Sequence, residues 1–154
     1  MTTFWLGVDP GKDGAIALLS SDGKLMEIID MPYLLETTRG IFEPAAHITF
    51  PCFAALEAQQ AMPKQGVSST FTTGQGFGRL EGLLTGLQIP YEVVRPQRWM
   101  REMGIPVGAD KRKHVEVAQS MYPLAPLTGP RGKLLDGRGD ALLLAVWAMR
   151  QGGK

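Results

Sequence analysis

Phe4-Trp-Leu-Gly-Val-Asp9, Pro10-Gly-Lys-Asp-Gly14 and Ala15-Ile-Ala-Leu-Leu19 follow one another without interruption, and this stretch decides the fold. Two short apolar runs flank a segment of turn chemistry, and the first run ends in an acid. Ser20-Ser-Asp-Gly-Lys24 is a second turn signal, after which Leu25 to Met31 has strand character. Three strands joined by tight turns form an antiparallel meander.

Working outward, Phe53 to Glu57 is a further apolar run ending in an acid, and it predicts a buried strand. Gln59 to Thr73 is polar and rich in Gly, Ser and Thr, which predicts a loop. Phe77, Leu80, Leu83, Leu84 and Leu87 recur at helical spacing within Gly76–Leu87. Tyr91 to Val94 is a fifth strand, and Pro96 to Met103 is a short helix with proline in its first turn. Asp110 caps a helix ending at Met121, Pro123 to Leu134 is loop, and Asp136 to Arg150 is a helix that is apolar nearly all round from Ala141. A short helix is also expected within Glu43–Thr49. The order is that of an α/β fold: a five-stranded mixed sheet, a three-strand meander plus parallel strands, flanked by helices in one domain spanning 1–154.

With 154 residues and a net charge of +1, the composition is that of an ordinary globular domain. The apolar run around Ala141–Ala148 is far short of a membrane span, and the N-terminus lacks the basic region of a signal peptide. A single cysteine, Cys52, excludes an internal disulfide framework and fits a reduced, cytoplasmic setting. Basic residues gather in two stretches, Arg95 to Lys113 and Arg131 to Arg138, which suit either a polyanion or a solvated surface.

The carboxylates carry the chemistry. Asp9 and Glu57 end two apolar strands, and functional groups collect at the carboxyl ends of strands in open α/β sheets. If the two strands are neighbours, these acids lie side by side. Asp136 and Asp140, four apart at a helix start, share one helical face. Four such acids repel one another, and a hard divalent cation relieves the repulsion; all-oxygen ligation suits Mg²⁺ or Mn²⁺. Two ions per site activate water and stabilise the leaving oxygen of a phosphodiester. Each acid has a plainer reading: Asp9 as an Asx turn, Asp136 as an N-cap, Asp140 as a partner of the helix dipole. His47 and His114 are expected to be neither ligands nor bases, and Trp99, Met100 and Met103 are expected in the core. Phe77 is assigned to packing, whereas Phe71 is either packing or a wedge between bases.

Gly7-Val-Asp-Pro-Gly-Lys-Asp-Gly-Ala15 resembles the first-strand motif of RuvC-type Holliday junction resolvases. Leu56-Glu-Ala-Gln-Gln60 resembles their second acidic motif, and Asp136-Gly-Arg-Gly-Asp-Ala-Leu-Leu-Leu-Ala145 their C-terminal one. Met62-Pro-Lys-Gln-Gly66 with Gly76-Phe-Gly78 is most similar to the phage and chloroplast-type branch. The resemblance implies a ribonuclease H-like fold and a homodimer nicking opposed strands of a four-way junction. It implies Mg²⁺ at Asp9, Glu57 and Asp140, completed by Asp136. In bacterial members the last two acids are typically three apart; here that place is Gly137. A lysine at the start of the penultimate helix acts near the scissile phosphate in the family, and Lys111 matches it, with Lys113 as second choice. DNA contacts are expected from Lys64, Arg98, Lys111, Arg112, Lys113 and Arg138, with no membrane and no small-molecule cofactor. Two other readings stay open: a nuclease of the same fold acting on RNA–DNA hybrids or flaps, and a catalytically silent binder of branched DNA.

Overall fold

The computed structural model describes residues 3–31 and 51–152; the helix expected within Glu43–Thr49, and His47 with it, lie outside them. The five strands are β1 (Phe4–Asp9), β2 (Ala15–Leu19), β3 (Leu25–Asp30), β4 (Cys52–Glu57) and β5 (Tyr91–Val94), and they lie in the order β3-β2-β1-β4-β5. The meander β1-β2-β3 is antiparallel, and β1, β4 and β5 run parallel, so the sheet is mixed as the sequence predicts. Among the described residues four α-helices accompany it: α1 (Val67–Gly86), α2 (Pro96–Glu102), α3 (Lys111–Met121) and α4 (Asp136–Gly152).

Period-two alternation assigns each strand residue to one of two cores. Leu6 and Val8 of β1, with Ala54 and Leu56 of β4, pack with Leu80 and Leu84 of α1. Trp5 and Ala55 face the other way, into a core with Trp99, Val115 and the apolar run of α4. A sheet covered on both faces explains why β1 reads as nearly continuous apolar sequence. By the same alternation, Asp9 and Glu57 end their strands on the α4 face.

The main departure from expectation is α1, which begins at Val67, inside the segment predicted to be loop. Its Ser- and Thr-rich start has little intrinsic preference for helix. Local bonds fasten it: Gln65 Nε2 donates to Ser69 Oγ at 3.0 Å and Thr73 Oγ1 at 3.3 Å, and Thr72 donates to the Ser68 carbonyl. Asp110 caps α3 as expected, accepting from the Lys113 amide at 3.2 Å.

Helix α4 lies against β1 and the turn that follows it without side-chain spacers at two glycines. A Cβ at Gly7 would stand 1.9 Å from the Ala141 carbonyl oxygen, and one at Gly137 would stand 1.9 Å from that of Asp13. These contacts bring the first turn of α4 to the strand end that carries Asp9. Asp30 of β3 holds the same turn through a two-pronged bond from Arg138, at 2.7 and 2.8 Å. Among the described residues no helix is long and apolar enough to cross a membrane.

Candidate active site

Parallel pairing of β1 with β4 runs in register to Val8 opposite Leu56, so Asp9 and Glu57 are the next residues on adjacent strands. The adjacency inferred from sequence is therefore present. Asp9 is 8% exposed, and its Oδ1 accepts from the Gly11 amide at 3.0 Å. The turn role read from the sequence is thus filled by one oxygen of the carboxylate. Glu57 Oε2 accepts from the Trp99 indole at 2.8 Å. Trp99 is core, as expected, but its polar edge holds an acid of the site.

Asp140, one turn into α4, is 2% exposed and engaged at both oxygens. Lys111 donates to Oδ2 at 2.8 Å, and His114 donates from Nδ1 to Oδ1 at 2.6 Å. Lys111 also stands 3.6 Å from Asp136, which is half-buried at the rim. His114 was not expected near the site; the available signal was its position three residues after Lys111, on the same helical face. Trp99 packs edge-on against the His114 ring at 5.9 Å, so the supports of Glu57 and Asp140 brace each other.

The electrostatics are those of an acid cluster short of positive charge. Burial, then repulsion from Asp140 and Asp136, pushes Asp9 up to about 6, against the pull of the Gly11 amide and Lys111. Burial and the neighbouring Asp9 push Glu57 up to about 7. Burial works against the charge on Lys111, but Asp140, Asp136 and Asp9 more than offset it and hold its pKa above the ordinary lysine value.

Among the described residues, no three His, Cys, Asp or Glu side chains are gathered to hold a metal ion as they stand. Asp140 is occupied by Lys111 and His114, and Glu57 is turned to Trp99. The donor chemistry nevertheless suits a hard divalent cation: clustered carboxylates, two of them held above their normal range by burial and then by repulsion from neighbouring acids. The Lys111 ammonium supplies part of that charge, and its side chain, 59% exposed, has room to swing away.

The remaining expected DNA contacts separate into two groups. Arg98 is bonded to Glu92 at 2.5 Å, and Arg138 is committed to Asp30, so both guanidiniums serve the fold. Lys113 stands 3.7 Å from Glu116. Arg112 and Lys64 are exposed and form no ion pair among the described residues. Lys64 adopts φ 66° within a turn closed by the Gln65 amide donating to the Met62 carbonyl at 3.0 Å.

No family model matches the chain. Over 98 residues, 63% of its length, it is 29% identical to the chloroplastic Holliday junction resolvase MOC1 of Chlamydomonas reinhardtii, and the match spans 11% of that relative. Thermus thermophilus RuvC in complex with a Holliday junction substrate superposes with a TM-score of 0.60 at 16% identity, over 99% of this chain and 96% of that one. A further structure of Thermus thermophilus RuvC gives 0.59, also at 16% identity, covering 99% and 97%. The fold is therefore that of RuvC, which is ribonuclease H-like.

Proposed function

We propose that this chain is a divalent-metal-dependent endonuclease that resolves four-way DNA junctions. The carrying observation is the convergence of Asp9, Glu57 and Asp140 at one end of the sheet, with Lys111 at the start of α3 reaching Asp140 of α4. The likeness to MOC1 and RuvC, whose names state this substrate, supports the reading. Asp9, Glu57 and Asp140 are the ligands, with Asp136 at the rim. When bound, two Mg²⁺ or Mn²⁺ ions supply water activation and charge stabilisation at the scissile phosphate. The chain's own residues do the placing. Gly11 and Trp99 orient one oxygen each of Asp9 and Glu57, His114 locks Asp140, and Lys111 offers a mobile cation to the phosphate. A homodimer presents two such sites to a two-fold junction, in a cytoplasmic setting. The direct test is incubation with Mg²⁺ and a labelled junction, beside matched duplex, flap and RNA–DNA hybrid. Paired symmetric nicks confined to the junction are expected; preferential cutting of hybrid or flap would transfer the site to another substrate.

His114→Leu removes the donor from a buried ligand. We expect Mg²⁺ to bind about 10- to 100-fold more weakly, since partners behind metal ligands carry effects of that size. Isothermal titration with Mg²⁺ measures this, and unchanged affinity would leave His114 a packing residue.

Lys64 sits where the backbone favours glycine, at a cost of roughly 1 kcal/mol. Such strain persists at functional positions. Lys64→Gly should therefore raise stability while weakening junction binding. A variant that gains stability and binds junctions as well as wild type would remove Lys64 from the interface.

A further inference from the structure

We propose that the groove between the β1–β2 turn and α1 holds the sugar–phosphate backbone of the strand being cut, with Lys12 and Arg79 as its phosphate-binding cations. The inference rests on the nuclease reading and locates the strand relative to the acids.

The groove starts beside the reacting end of the sheet. Pro10, Gly11 and Lys12, which follow Asp9 directly, form one wall, and Gln59, two residues beyond Glu57, contributes from the segment after β4. The opposite wall is a stripe of α1 in which Thr72, Gln75 or Gly76, and Arg79 recur every three or four residues. The walls come close at Gly76, where even a Cβ would be in ordinary contact with the Pro10 carbonyl oxygen, at 3.8 Å.

The charge of this groove suits a polyanion. Several cations elsewhere are met by acids, Lys24 by Asp22, Arg98 by Glu92 and Glu102, Arg138 by Asp30 and Lys111 by Asp140, whereas the groove sets two unpaired cations on facing walls beside the acid cluster. Among the described residues, Lys12 and Arg79 are both exposed and form no ion pair or hydrogen bond, and no carboxylate lines the groove. Two unneutralised cations on facing walls, with the Gln75 and Gln59 amides between them, form a track for a polyanion, whose phosphates position the strand without reading its sequence. The track leads to Asp9 and Glu57, so a strand lying in it delivers a phosphodiester to the acids.

The test is the salt dependence of binding to a synthetic four-way junction and to an RNA–DNA hybrid, with Ca²⁺ in place of Mg²⁺ to suppress cutting. Wild type is compared with Lys12→Ala, Arg79→Ala, the double variant and Lys24→Ala, whose lysine lies on the β2–β3 turn away from the groove. Each phosphate contact contributes about one unit to the slope of log affinity against log salt. Each single groove variant should lower that slope by about 1, the double variant by about 2, and Lys24→Ala not at all. Unchanged slopes in the groove variants, while wild type binds and cuts junctions, would overturn the groove and leave the nuclease reading standing. The expected slope changes on the hybrid, with no junction binding by wild type, would keep the groove and overturn the junction as substrate. Neither side chain supports the fold, so wild-type melting curves are expected throughout.

Discussion

Asp9→Asn should lower junction cleavage by roughly a thousandfold, about 4 kcal/mol of transition-state stabilisation, while junction binding persists. Asparagine keeps an oxygen to accept from the Gly11 amide, so the turn and the end of β1 stay in place, and only the charge that recruits a cation is lost. Cleavage within tenfold of wild type would remove Asp9 from the chemistry. The same substitution changes stability in the opposite sense. Asp9 rises from 3.8 in the unfolded chain to about 6 when folded, and Glu57 from 4.5 to about 7. Below the unfolded values both states hold their protons, and the carboxyls cost the fold nothing. As pH rises through the window to the folded values, the unfolded chain ionises first and the metal-free protein loses stability. The loss at Asp9 is on the order of 3 kcal/mol, complete above the folded pKa. Metal-free wild type should thus melt lower at pH 7.5 than at pH 4.5, and Asp9→Asn should flatten that fall. Mg²⁺ at neutral pH should restore wild type and leave the variant unmoved. A metal-free melting temperature that rises over this pH range would contradict the charge-deficient site.

Gly7→Ala should cost about 3 kcal/mol, lowering the melting temperature by roughly 10 °C. The added methyl would meet the Ala141 carbonyl and the Ala145 amide, at 1.9 and 2.2 Å. These are backbone atoms of a helix buried among Trp99, Val115 and the strands, so α4 must shift as a body. Asp140 moves with it, and cleavage should fall alongside stability. Gly82→Ala in α1 is the control: nothing lies within 4 Å of the new methyl, and alanine favours helix, so stability should rise by about 0.5–1 kcal/mol. Urea denaturation of the two variants measures the contrast. Equal stabilities would show that the α4–β1 contact yields easily and does not fix the distance between Asp9 and Asp140.

The strands, the meander, the capped α3 and the buried α4 were legible from sequence, because apolar periodicity and turn residues act over a few neighbours. The candidate acids were legible for a related reason: a carboxylate closing an apolar strand has few structural uses. The start of α1 was not legible, since Ser68, Ser69, Thr72 and Thr73 have little preference for helix in isolation, and Ser69 and Thr73 gain their side-chain bonds only once Gln65 is placed. Nor was the division of the cations. By sequence Arg98 and Arg138 are as available to a phosphate as Lys12 and Arg79; which of them face a carboxylate depends on Glu92 and Asp30, the latter 108 positions from Arg138. His114 and Trp99 behaved likewise, ordinary core residues by local pattern whose ring nitrogens meet Asp140 and Glu57 only through the packing of α2, α3 and α4. Local sequence thus determined which residues form strands and helices and which acids end them. The tertiary structure alone decided which charges are spent on one another and which remain free, because a charge's partner is set by distance in space, to which distance along the chain is no guide.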